Sequence, residues 1–180
     1  MLPEIQLPEL HEAIKAALKA KFPKVTVDYY SRPGEKIAIP AIFFELESIE
    51  AANPSDSGTE QLEVMLRFSA ECITSYKHGG KLSARLFAAS VASFVQRNRF
   101  GKPITPGRFT SSNAESFQQA ENAYESWAVK WTHMGYLGTS LWDASGITPE
   151  HVFLGFAPNI GTGHEADYIE VAGVDSLPIL

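Results

Sequence analysis

Apolar and polar positions alternate most regularly between Glu60 and Asn98, and the period changes halfway along. Leu62, Val64, Leu66, Phe68, Ala70 and Cys72 share one parity, with Glu63, Arg67, Ser69 and Glu71 on the other, which predicts a long half-buried strand. After His78-Gly79-Gly80 the apolar residues recur at helical spacing: Ala84, Phe87, Ala88, Val91, Phe94 and Val95. A helix over 81–98 can therefore lay one stripe back on that strand. The pair is the expected packing unit of the chain, and it contains no evident chemistry.

The flanking segments extend this pattern. Leu7 to Phe22 reads as a helix, with Pro8 in its first turn, Leu10, Ile14, Ala17 and Leu18 on one face, and Pro23 as its stop. Val25, Val27 and Tyr29 alternate with Thr26, Asp28 and Tyr30 in a short strand closed by Arg32-Pro33-Gly34. A second strand, Ala41 to Ser48, sets Ile42, Phe44 and Leu46 against Ala41, Phe43, Glu45 and Glu47, predicting one covered and one wet face. The turn formers of residues 51–59 make a loop longer than a tight hairpin needs. Arg97-Asn98-Arg99-Phe100-Gly101 should end the second helix.

From Lys102 to Glu121 the period fades, leaving a short irregular strand near 108–110 and a helical turn over 114–120 as expectations. Order returns from Tyr124 to Leu137, where Trp127, Val129, Trp131 and His133 alternate with Ala128, Lys130, Thr132 and Met134. Beyond this strand come an apolar run at Val152–Ala157, a loop over 159–167 and a short strand at Tyr168–Val171. The expected organisation is a compact core over 1–138 and a C-terminal extension over 139–180. The extension either folds back on its own core or crosses to a neighbour. The fold class is α/β of the α+β kind: a mixed, mostly antiparallel sheet of four or five strands with both helices on one face.

Composition narrows the function classes. A chain of 180 residues with 44% hydrophobic and 20% charged residues is ordinary for one globular domain. The net charge of −6, with no basic stripe alternating with aromatics, argues against nucleic-acid binding through phosphate neutralisation. The N-terminus lacks a cationic stretch followed by a long apolar one, and no run of about 18 apolar residues occurs, so folding in a cytoplasm without a membrane is expected. The single Cys72 lies on the apolar strand face and reads as a reduced core residue rather than a nucleophile.

Candidate chemistry is sparse. His78-Gly79-Gly80-Lys81 resembles the end of a phosphate loop, but Ser75 and Leu82 stand where a glycine and a hydroxyl residue are required, so a tight turn is the better reading. His164, Glu165 and Asp167, with His151 upstream, have the donor types of a metal site. Helical ligand spacing is missing, and an exposed polar loop is the simpler reading. Glu45 and Glu47, about 7 Å apart along a strand, imitate a glycosidase dyad, yet exposed strand carboxylates are far commoner. His133, on an apolar parity, reads as a satisfied core or interface histidine. Trp142 and the run 152–156 instead offer large groups that need an apolar partner.

The order helix, strand, strand, loop, long strand, helix, late strand, with Pro40-Ala41-Ile42-Phe43-Phe44-Glu45-Leu46 entering a sheet and Tyr124-Glu125-Ser126-Trp127-Ala128-Val129-Lys130-Trp131-Thr132-His133-Met134-Gly135-Tyr136-Leu137-Gly138, resembles the tail terminator and related neck or tail-completion proteins of tailed bacteriophages. The similarity spans about Leu7 to Gly138. It implies a non-enzymatic virion protein without cofactor or metal, located at the head-proximal end of the tail and assembled in the host cytoplasm. The implied homo-oligomer is a ring, often hexameric, that ends tail-tube polymerisation and meets the tube or sheath protein and a neck protein. On this resemblance Glu45, Glu47, Asn53 and Asp56 would form a polar docking surface, and Trp142, Phe153 and Phe156 would anchor between neighbours. The alternatives are another neck or baseplate adaptor, or a small metal-dependent enzyme using His151, His164, Glu165 and Asp167.

Overall fold

The computed structural model describes residues 3–30, 38–52, 58–75, 80–114, 124–141 and 150–173. In chain order these form α1 (Leu7–Lys21), β1 (Thr26–Tyr29), β2 (Ala41–Ala51), β3 (Leu62–Ser75), α2 (Gly80–Val95), β4 (Arg108–Ala114), β5 (Tyr124–Leu137), β6 (His151–Leu154) and β7 (Ile169–Gly173). The chain divides into two compact units, 1–141 and 142–180.

The first unit is a five-stranded sheet in the order β1-β2-β3-β5-β4, parallel between β1 and β2 and antiparallel elsewhere. This is the mixed, mostly antiparallel α+β architecture that the periodicities predict. Strand β3 lies at its centre, paired with β2 on one side and β5 on the other. Val64, Leu66, Phe68, Ala70 and Cys72 are fully buried on one face, where Leu10, Ile14 and Leu18 of α1 and Ala88, Val91 and Val95 of α2 join the same core. Phe68 stacks on its cross-strand partner Trp131 at 5.4 Å between ring centroids. Burying one such large apolar side chain contributes about 1.5–3 kcal/mol.

Helix α1 begins with Pro8 and Glu9 in its first turn and ends with Lys19 and Lys21 in its last, a charge order that suits the helix dipole. Its buried stripe includes His11, which the apolar count passes over. The His11 ring lies between Tyr30 and Phe44, and its two nitrogens meet the Leu7 carbonyl at 2.8 Å and the Tyr30 hydroxyl at 3.2 Å. Before the helix, the Ile5 amide donates to the Tyr136 carbonyl, so the N-terminal segment pairs with β5 beyond the end of β4.

Three boundaries depart from the sequence pattern, each for a local reason. In β2 a bulge between Leu46 and Ser48 resets the parity, so Ser48 and Glu50 face outward with Glu45 while Ile49 pairs with the core residue Leu66. Strand β4 runs to Ala114 rather than stopping near 110, because β5 pairs with it as far as Trp127. Ala114 is thus extended, and the rest of the expected 114–120 helical turn lies outside the described residues. Helix α2 ends at Val95, three residues early. Arg97 takes φ +64° and its amide donates to the Gly107 carbonyl at 2.7 Å, while the Gly107 amide donates to the Asn98 carbonyl at 2.7 Å. A Cβ on Gly107 would stand 2.3 Å from the Val95 carbonyl oxygen, so only glycine permits this latch.

In the second unit the described residues form a two-stranded antiparallel sheet, β6 with β7, and a short 3-10 turn at Glu165–Asp167. The apolar run around 152 is therefore a strand, paired with the short strand expected at its C-terminal side.

Candidate interaction surfaces

The outer face of the large sheet is wet and cross-braced around Glu45, Glu47 and Glu50, while Ala41, Ile73, Ser126 and Ala128 on the same face are buried. Arg67 donates from Nε and Nη2 to the two carboxylate oxygens of Glu50, at 2.6 and 2.9 Å, and Lys130 reaches Glu47 at 2.6 Å. The Arg67 guanidinium, and then the Ser48 hydroxyl, hold the Glu50 carboxyl below its ordinary range. Ser126 adds a bond to Glu71 at 3.1 Å. Glu47, at the bulge, is therefore bonded to a lysine, while Glu45 is exposed on the same face. The two carboxylates do not stand as a matched acid–base pair: Glu47 is turned to Lys130, and Glu45 is exposed.

Asn53 and Asp56 lie outside the described residues, but the base of their loop is well fixed. The Ala52 amide donates to the Glu63 carbonyl at 3.0 Å. On the return limb Thr59 and Gln61 are buried. The Gln61 side-chain amide donates to the Gly138 carbonyl at 2.8 Å, and the Leu141 amide donates to the Thr59 carbonyl at 3.0 Å. The loop thus springs from the sheet edge and returns through a clamp on the end of β5. Sequence patterning offered no sign of that clamp, since Thr59 and Gln61 look like ordinary loop residues.

The buried polar groups are structural. The Trp131 indole can only donate, and it bonds His133 Nε2 at 3.0 Å, so the imidazole proton sits on Nδ1 and is given to the Thr105 carbonyl at 2.8 Å. Burial lowers the His133 pKa below its ordinary value, against a smaller opposing effect of the Thr105 carbonyl. Both nitrogens are used and the ring is neutral, which makes His133 a brace between β5 and the 102–107 segment. Burial likewise pushes the Cys72 thiol up to about 12, and the side chain is wholly enclosed.

The second unit has the opposite character. The register pairs Phe153 with Glu170 and Leu154 with Ile169, with a bulge at the Val152/Phe153 step. His151, Phe153 and Glu170 therefore share one face, on which the His151 ring lies along Phe153 and its Nδ1 meets Glu170 Oε1 at 2.5 Å. Val152, Leu154 and Ile169 share the other, and all three are exposed. Phe153 and Phe156 are 54% and 64% exposed, while Trp142 lies outside the described residues.

The remaining candidates for metal ligation are dispersed among other partners. His164 Nδ1 meets Asp167 at 3.0 Å, and the Glu165 carboxylate accepts the Gly163 amide at 3.0 Å, which lowers its pKa. His151 is committed to Glu170. Among the described residues no three histidine, cysteine or carboxylate side chains converge as a metal-binding group. No helix there is long and apolar enough to cross a membrane.

No protein-family model matches the chain, and no curated protein matches it. Among solved structures, a chain from the virion of a native gene transfer agent particle is similar at 17% identity and a TM-score of 0.49, over 71% of this chain and 91% of that one.

Proposed function

We propose that this chain is a structural subunit of a tailed-phage particle: a tail terminator that forms a ring at the head-proximal end of the tail, stops tail-tube polymerisation and joins the tail to the neck. The observation that carries the reading is the exposed aliphatic face of the β6–β7 sheet. Two strands alone are marginal in water and need a third strand or a packed surface, and the described residues of this unit form only two, which suits a part completed by assembly. The element order from α1 to β5 supports the family named from the sequence, and the braced outer face, led by Glu45 and Glu47 with the 51–59 loop at its edge, suits docking to the tube or to a neck protein. Phe153 and Phe156, with Trp142, serve as anchors between subunits. A closed ring needs two unlike patches on each subunit, and a polar sheet face plus an apolar extension supplies two. The test is electron microscopy of particles made without this protein. Tails of irregular or excessive length are the expected result, and tails of normal length already joined to heads would overturn the reading.

A further inference from the structure

Charge is segregated along this chain. All fifteen Lys and Arg residues lie in 1–141, balanced there by fifteen Asp and Glu, whereas 142–180 holds six acids and no Lys or Arg, so the net charge of −6 resides in the second unit. Inside the first unit the reverse bias occurs: from Cys72 to Ala114, which spans α2 and β4, seven cations occur without one acid. On α2 the exposed residues are Lys81, Leu82, Arg85, Leu86, Ala89, Ser90 and Ser93. Leu82 and Leu86 are 64% and 61% exposed and, four residues apart, form one stripe, with Lys81 and Arg85 beside it. Each unit thus bears an exposed apolar patch, and the two patches lie in segments of opposite charge.

We infer that the β6–β7 sheet of one copy docks through Val152, Leu154 and Ile169 on the Leu82/Leu86 stripe of α2 in a second copy, with the exposed Glu150 just before β6 facing Lys81. The occupant is set by charge. Pairing α2 with α2 brings cations together, and pairing sheet with sheet brings acids together, arrangements that cost several kcal/mol. Only the unlike pairing is attractive, and an unlike pairing repeated around an axis closes a ring. This contact rests on the ring reading above and names the surfaces that join its subunits.

The test uses the full chain with two exposed charge reversals, Lys81→Glu and Glu150→Lys, neither of which touches the Arg85–Trp127 stack or the His151–Glu170 pair, followed by light scattering after size exclusion. Each reversal alone is expected to weaken self-association at least about tenfold, and an equimolar mixture of the two is expected to restore it in alternating order. Leu86→Ser, which leaves every charge and the stacking of Arg85 over Trp127 in place, is expected to weaken association with an unchanged melting temperature. A wild-type ring that survives either reversal, or a mixture that fails to reassemble, overturns this contact while leaving the terminator reading standing. A reversal that lowers the melting temperature without changing the mass places the contact within one chain and also overturns it. A wild-type chain that stays monomeric at high concentration removes both the contact and the ring.

Discussion

Strands β3 and β6 are both rich in large aliphatic and aromatic residues, yet they live in different environments. β3 has a strand on either side and two helices over its apolar face, and its Val64, Leu66 and Phe68 are fully buried. Among the described residues β6 has β7 alone, and its Val152, Phe153 and Leu154 are all exposed. The difference is one of coverage rather than composition. Apolar surface stabilises a fold only where it is removed from water, as at β3 and not at the described residues of β6.

The sharpest way to break the contrast is a charge in the covered region. Val91→Asp places a carboxylate against β3 with no partner and should unfold the protein, read as loss of far-UV circular dichroism. If the variant stays folded and only assembly fails, α2 faces a neighbour through that residue and the core assignment is wrong. Phe68→Ala should cost about 3–5 kcal/mol in urea denaturation, since both the Trp131 stack and the volume are lost. Gly107→Ala follows at about 1–3 kcal/mol, because its new methyl meets the rigid Val95 backbone oxygen rather than a side chain that can move.

Smaller effects sharpen the comparison. The folded state depresses the His133 pKa, so below the ordinary histidine value of about 6.5 the unfolded chain binds more protons than the native one. The stability tied to this ring is complete above that pH and is lost as pH falls toward the folded value. Urea midpoints measured across this range should show the slope in the wild type and a reduced slope in His133→Gln. Leu154→Ser in the uncovered sheet should change monomer stability by no more than about 0.5 kcal/mol, while weakening self-association. A large loss of monomer stability would mean that β6 belongs to a core after all.

Much of the first unit was legible because period and burial coincide there. The alternation of Leu62 to Cys72 and the stripe from Ala84 to Val95 marked the centre of the sheet and its covering helix, and Trp127 to His133 marked the strand beside it. What escaped notice depends on contacts between residues distant in sequence. The bulge after Leu46 follows from pairing with β3, the early stop of α2 from Gly107, and the burial of His11 from aromatic rings contributed by β1, β2 and β3. His11 did carry a signal, for it shares helical spacing with Ile14 and Leu18, but a count of apolar residues leaves it out. Of the candidate surface residues, Glu47 proved to be held by a lysine 83 positions away, a pairing that no local pattern encodes. Whether Phe153 and Phe156 are covered was not legible, since the sequence left open a fold-back on the core or a crossing to a neighbour; both are exposed.

The bonds from Gln61 to Gly138 and from Leu141 to Thr59 have a mechanical meaning. They join the root of the 51–59 loop to the point where the chain leaves β5, so tension applied beyond Leu141 is borne first by the Thr59 carbonyl rather than by β5 itself. The knot works as a strain relief, as on a cable. A pull on the extension is passed to the loop root and spread into β3, while the ladder between β3 and β5 is spared from peeling at its end.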